Sequence, residues 1–184
     1  MGYTHYWRKP NGVSRNWNNA IPIIQRILKK HRNIIQYELD DDADPVCNEH
    51  VIRFNGIGED GHETFLFTNA EEEFAFCKTA RKPYDIVVCE CLIVLQHFMP
   101  ELKISSDGMS GRVSDEVTGL TVGDLVQNLD GCWNEALANV SKEWGINYLA
   151  KCVEIDQERG YYRWELMEVG NHVENDTEKE QTNE

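Results

Sequence analysis

An α+β fold built around one core is what this sequence predicts, on three observations. Three stretches show helical apolar spacing, five or six short stretches suit strands, and bulky aromatics are plentiful. The chain has 184 residues, 41% of them hydrophobic, with five Trp, seven Tyr and six Phe. That is enough to fill a core without a stapling disulfide or metal. The pattern places one domain over residues 1–172, with a mixed or mainly antiparallel sheet of about five or six strands packed against about three helices, and a disordered acidic tail over 173–184.

Taken in order, Gly2 to Trp7 reads as a strand whose period of two puts Tyr3, His5 and Trp7 on one face. Asn18 or Asn19 then suits the cap of a helix starting near Ile21, with Pro22 in its first turn and Ile23, Ile24, Ile27, Leu28 and Ile34 at helical spacing. The acidic run Asp40 to Pro45 reads as a loop. His50–Phe54 and Glu63–Phe67 form a predicted hairpin, joined by the glycine-rich turn Asn55–Gly61. The near-continuous apolar run Ile86–Phe98 is too long for most strands and is bracketed by Pro83 and Pro100, so it reads as a buried central helix. Leu102–Ser106 follows as a short strand, while Met109–Val122 carries no clear periodicity. Asp124–Trp144 has helical spacing interrupted at Gly131 and ended by Gly145. Tyr148–Ile155 and Tyr161–Val169 flank a turn at Gln157–Gly160 and predict a second hairpin. An open edge on Tyr161–Val169 would allow pairing between chains, hence a homo-oligomer.

Net charge is −14, and residues 174–184 hold five acids against Lys179, which leaves the remainder still acidic. A broad basic face is therefore not expected, and direct nucleic-acid binding is read as excluded. No basic start followed by an apolar run is seen after Met1, and no stretch is long enough to span a bilayer, so the expected setting is the cytoplasm with no membrane partner. The six cysteines, Cys47, Cys77, Cys89, Cys91, Cys132 and Cys152, are scattered in apolar company and read as buried free thiols.

One segment stands out chemically. Lys78, Thr79, Arg81, Lys82 and Tyr84 gather three cations and a hydroxyl just before the predicted central helix. Free amides at a helix start and an arginine fork both suit a phosphate or carboxylate. Pairing of these cations with Glu71, Glu72, Glu73 or Asp85 is the competing reading. The turn Asn55, Glu59, Asp60, His62, Glu63 combines glycine freedom with acids and a histidine, which suits either ligand approach or metal coordination. Its spacing matches no metal motif, so no metal or other cofactor is expected. Ser106 and Asp107 close a strand end and can line a pocket. His97, alone on an apolar helix, reads as a hydrogen-bonded boundary residue, and Cys89 and Cys91 point to different helix faces.

The segments Met1–Trp7, Phe54–Gly56 with Glu59–Phe65, and Phe76–Asp85, together with Ser105–Gly108, resemble an uncharacterised family of bacteriophage and bacterial proteins. The resemblance spans roughly the first 110 residues and supplies no catalytic residue. It implies a small accessory protein of phage type, acting in the host cytoplasm if phage-encoded, against host defence or host machinery.

Joined to the cationic segment, this leads to the expectation of a nucleotide-like anionic small molecule, such as a defence signal held by sequestration. Lys78, Arg81 and Lys82 would meet phosphate while Tyr3, Trp7 or Tyr84 meets a base, with His5 and the turn residues nearby. Two alternatives stand beside it: a metal-assisted hydrolase of a similar substrate using Glu59, Asp60, His62 and Glu63, and an acidic protein that covers a basic host partner.

Overall fold

The central helix organises everything around it. In the computed structural model, which describes residues 2–9, 16–70, 74–112 and 120–169, helix α2 spans Asp85–Phe98 and every residue from Asp85 to Leu95 is buried. A helix apolar on all sides has no face to give to water, so it must be surrounded. Helix α1 (Trp17–Lys30) and helix α3 (Trp133–Trp144) pack against it. Each is amphipathic: α1 buries Trp17, Ala20, Ile24, Ile27 and Leu28, and α3 buries Trp133, Ala136 and Val140.

Among the described residues ten strands complete an α+β fold in three antiparallel sheets. Strand β1 (Thr4–Arg8) lies between β6 (Phe74–Lys78) and β7 (Lys103–Ser106). Strand β4 (Val51–Gly56) pairs with β2 (Ile35–Gln36), β3 (Val46–Cys47) and β5 (Phe65–Thr68). Strand β10 (Tyr161–Glu168) sits between β8 (Ser110–Arg112) and β9 (Tyr148–Asp156). The strands beyond the six foreseen include pieces of only two or three residues, too short to show a period.

Aromatic packing ties the layers together. Trp7 of β1 lies 5.7 Å from Phe67 of β5 between ring centroids, Trp17 of α1 stacks on the same ring at 5.8 Å, and Phe54 meets Phe65 at 4.9 Å. Such rings bury large apolar areas, and pairs at these separations add to that burial.

Two element boundaries differ from the sequence expectation. Helix α1 begins at Trp17 rather than near Ile21, because Trp17 is fully buried and its indole N–H donates to Asn48 O at 3.2 Å. Pro22 consequently lies inside the helix. Residues 124–132 are not helical. Gly123, Asp124 and Val126 exchange backbone hydrogen bonds with Ala150 and Cys152 on the free side of β9, and both Asn128 and Gly131 have positive φ. Sheet pairing there overrides helical propensity, and the helix starts only at Trp133.

The hairpins at β4/β5 and β9/β10 have the foreseen pairing. Strand β10 is not an open edge at its start, since β8 pairs with Tyr161, Tyr162 and Arg163. All six cysteines are free thiols, four of them buried, with Cys47 and Cys132 half-buried. His97 sits at the boundary and hydrogen-bonds Glu168 at 2.7 Å. The tail 173–184 and the patch Glu71–Glu73 lie outside the described residues. Among the described residues no helix is long and apolar enough to cross a membrane.

Within α2, Glu90 is fully buried yet well matched. Asn139 Nδ2 of α3 donates to its Oε1 at 2.7 Å, His31 Nε2 at the end of α1 lies 3.0 Å from Oε2, and Lys30 Nζ is 3.8 Å away. Removing a hydrogen bond to a buried charge costs about 1.5–3 kcal/mol. Asn139→Ala should therefore lower the unfolding free energy in urea by about 2 kcal/mol, whereas removing exposed Asn134 should cost well under about 1 kcal/mol.

Candidate functional site

The four segments singled out in the sequence meet at the end of the molecule where α2 begins. The period of two in β1 directs Tyr3, His5 and Trp7 inward, and all three are buried. His5 thereby reaches the first turn of α2, where its Nε2 lies 2.8 Å from Asp85 Oδ1 with both residues essentially inaccessible to water. Thr79 Oγ1 donates a short hydrogen bond to the same oxygen. One turn along the helix, Cys89 Sγ is 4.0 Å from His5 Nε2. The Cys132 thiol, at the boundary of α3, also faces the Asp85 carboxylate.

The loop between β6 and α2 covers this buried group. Thr79 N and Ala80 N both donate to Tyr3 O, and Ala80 and Arg81 adopt left-handed backbone with φ of 52° and 60°. For residues bearing a Cβ that conformation costs about 1–2 kcal/mol each. It turns Arg81 back over the Tyr3 ring, 4.0 Å from guanidinium carbon to centroid, and into a two-pronged pair with Asp130 at 2.7 and 2.5 Å. Tyr3 itself is wedged between Gly108 and Gly131, since a Cβ at either would overlap its hydroxyl.

The turn after β4 is closed by its own residues. Asn55 Oδ1 accepts from Gly56 N and His62 N, and its Nδ2 donates to His62 O and Thr64 Oγ1. Glu63 Oε2 accepts from Lys78 N at 2.7 Å, Glu63 O accepts from Tyr84 OH at 2.6 Å, and Lys82 Nζ donates to Glu59 O at 2.8 Å. Glu59 and Asp60 lie on an exposed single turn of 3₁₀ helix, and His62 is exposed beside it. These side chains do not converge. Among the described residues the set whose donor atoms could share a metal ion is His5, Asp85 and Cys89, not the turn.

The structure thus brings Tyr3, His5, Thr79, Arg81 and Tyr84 to one end of the molecule but turns their chemistry inward, and leaves Glu59, Asp60 and His62 apart on the surface. Tyr3, Trp7 and Tyr84 are buried and offer no ring to a ligand arriving from solvent. Arg81 is engaged with Asp130 and Lys82 with a backbone carbonyl. At the helix start, Asp85 N, Val87 N and Val88 N already have carbonyl partners, and the Asp85 carboxylate occupies the first turn where an external anion would be held. Ser106 Oγ accepts from Gly108 N, and Asp107 Oδ2 accepts from Thr4 N at 2.9 Å, so both shape the neighbouring turn.

Ionisation follows from these contacts. Burial pushes the Asp85 carboxyl up, but the hydrogen bond and charge of His5, with Thr79, outweigh it and hold the group below its ordinary value. Burial raises the Cys132 thiol to about 12, reinforced by Asp85, and raises Cys89 well above its usual range. A cysteine nucleophile needs a lowered thiol and an imidazole oriented by a carboxylate on its other nitrogen. Here Asp85 and Cys89 both face Nε2, while Nδ1 has no hydrogen-bond partner.

The opposite face of the same sheet was not anticipated, although it follows from the same alternation. If Tyr3, His5 and Trp7 point in, Tyr6 and Arg8 point out. Register then sets Tyr6 beside Phe76 and Ser105, Arg8 beside Phe74 and Lys103, and Lys78 beside Thr4. Phe74 and Phe76 are 45% and 53% exposed, unusual for phenylalanine. The centroids of Tyr6, Phe74 and Phe76 lie 6.2 to 6.4 Å apart, and the Arg8 guanidinium is 5.3 Å from the Phe74 ring. The alternation Phe74-Ala75-Phe76-Cys77-Lys78 was the signal available in the sequence.

Compared with protein-family models, curated proteins and solved structures, the chain matches none.

Two measurements probe the covered end. Gly108→Ala should destabilise by about 2 kcal/mol through overpacking against Tyr3, and Tyr3→Phe should restore part of that loss, a non-additivity readable by urea denaturation of the double variant. Asp130 is held below its ordinary value by the Arg81 hydrogen bond, against a smaller opposing effect of burial. A depressed carboxyl contributes stability above its unfolded value near 4, and loses that contribution as pH falls through the folded value. Asp130→Asn should thus lower the thermal midpoint modestly at pH 7, and the difference from the parent should vanish in acid.

Proposed function

We propose that this protein binds an anionic, nucleotide-like small molecule on the solvent face of the sheet formed by β6, β1 and β7. The observation that supports the reading is the pair of exposed rings Phe74 and Phe76 beside half-buried Tyr6, edged by Arg8, Lys78 and Lys103. In a chain of net charge −14, this face sets three cations and three aromatic rings beside the Asp107 carboxylate, whose Oδ1 accepts from Tyr6 OH at 3.5 Å. Such a face attracts an anion even where the whole molecule does not, because local charge decides short-range attraction.

The chemistry suits a base joined to phosphate. Rings on a sheet surface offer π-faces on which a base can stack, a contact worth about 1–3 kcal/mol per base, and arginine beside a ring adds cation–π attraction. Arg8 gives phosphate a fork of donors, while Lys78 and Lys103 act as point charges toward it. Binding of this kind needs no nucleophile and is consistent with sequestration.

The test is isothermal titration of the full chain with linear and cyclic mono- and dinucleotides at low and moderate salt. Micromolar or tighter binding that weakens with salt is expected, with Phe76→Ala lowering affinity by about tenfold, as the loss of one stacked base implies. No heat with any nucleotide overturns the reading. Binding confined to mixed-sequence oligonucleotides overturns the small-molecule reading in favour of single-stranded nucleic acid.

A further inference from the structure

The buried group beneath Tyr3 holds three donor atoms of three kinds. His5 Nε2, an Asp85 carboxylate oxygen and Cys89 Sγ all lie within 4.8 Å of one another, and each of the three residues is buried. Asp85 and Cys89 are four apart on α2, so one helix face presents both, as ligand pairs on helices require. His5 comes to them from β1, so two separate elements supply three donors to one point. The Cys132 thiol, at the start of α3, stands beside the Asp85 carboxylate at the edge of this group.

As a purely hydrogen-bonded group this arrangement is incomplete. Asp85 Oδ2 and His5 Nδ1 are buried and make no hydrogen bond of ordinary geometry, while Oδ1 carries both the His5 and the Thr79 contacts. A buried carboxylate oxygen without a partner is costly, and native proteins leave few of them. A cation seated between His5, Asp85 and the two sulfurs would satisfy that oxygen. The present hydrogen bond between Nε2 and Oδ1, 2.8 Å long, would give way as Nε2 turns to the ion, leaving Oδ1 to Thr79.

We propose that His5, Asp85 and Cys89, with the neighbouring Cys132 thiol drawn in as fourth ligand, form a buried structural site for a zinc-type divalent cation. The mixed nitrogen, oxygen and sulfur set points to that class of metal and away from magnesium and calcium, which prefer oxygen alone. Binding is a proton exchange: each thiol gives up its proton to solvent as its sulfur bonds the metal, and His5 binds through Nε2 with its remaining proton on Nδ1. No redox step is involved. The ion would join β1, α2 and α3 at one point beneath Arg81 and Tyr3. The site is independent of the outer sheet face.

The experiment uses the full chain. Protein produced in zinc-supplemented medium and purified without chelator is analysed for metal, then stripped and titrated with cobalt(II) while the visible and near-ultraviolet spectrum is recorded. About one tightly held metal per chain is expected, with intense tetrahedral cobalt bands, a thiolate-to-cobalt charge-transfer band and a raised thermal midpoint. Cys132→Ser, at a half-buried position, should keep the fold by circular dichroism and weaken cobalt binding by at least about tenfold with a reduced charge-transfer band, as loss of a coordinating ligand requires. Cys47→Ser should leave both unchanged. A metal-free parent protein that develops no cobalt band overturns the proposal, and so does a metal whose spectrum and affinity are untouched in Cys132→Ser and Cys89→Ser.

Discussion

Helix α2 carries two carboxylates into a place where water cannot follow, and the surrounding architecture is arranged to meet them. Asp85 and Glu90 are both buried within a helix that is otherwise nearly all apolar. An unmatched charge there would cost several kcal/mol, so each acid constrains what packs beside it. Glu90 takes a histidine from the end of α1 and an asparagine from α3, which sets how the flanking helices lie along the central one. Asp85 takes His5 from β1 and Thr79 from the loop after β6, which sets the sheet against the start of the helix. Apolar burial supplies the drive for this packing, while the two acids select one arrangement among many that bury similar area.

That selection explains why the end of the molecule richest in polar motifs faces inward. The left-handed turn at Ala80 and Arg81, the wedge of Tyr3 between Gly108 and Gly131, and the Arg81 to Asp130 pair all enclose the Asp85 group. Backbone strain of this kind persists only where surrounding contacts over-determine it. The same strand that sends His5 inward turns Tyr6, half-buried, and Arg8, exposed, to its other face. One five-residue segment, β1, thereby links a buried polar group to an exposed aromatic and cationic surface, each side with its own chemistry.

Much of the architecture was legible because local signals agreed with it. The extent of α2 followed from its unbroken apolar run between Pro83 and Pro100, and the end of α3 from Gly145, whose φ of 68° a residue without a Cβ adopts readily. The two hairpins followed from alternation around turn residues, and the burial of Tyr3, His5 and Trp7 from their common face. Where local and tertiary demands diverged, the sequence misled. Asp124–Cys132 has helical spacing, yet its first residues complete the sheet beside β9. Trp17 opens α1 with no local signal, because the Phe67 ring it stacks on lies far along the chain.

For the candidate site the division is sharper. From the sequence alone came the class of fold, the central helix, and the observation that Lys78–Tyr84, Asn55–Glu63 and Ser106–Asp107 carry unusual chemistry. Their convergence, and the direction in which each side chain points, were decided only in three dimensions. Arg81 meets Asp130 across 49 residues, His5 meets Asp85 across 80, and Tyr3 meets the backbone of Asp130 across 127. Periodicity reports which face a residue occupies, because that depends on neighbours two to four positions away. Which charge is spent on an internal partner and which remains for a ligand depends on residues far off in the chain, brought near by the packing around α2.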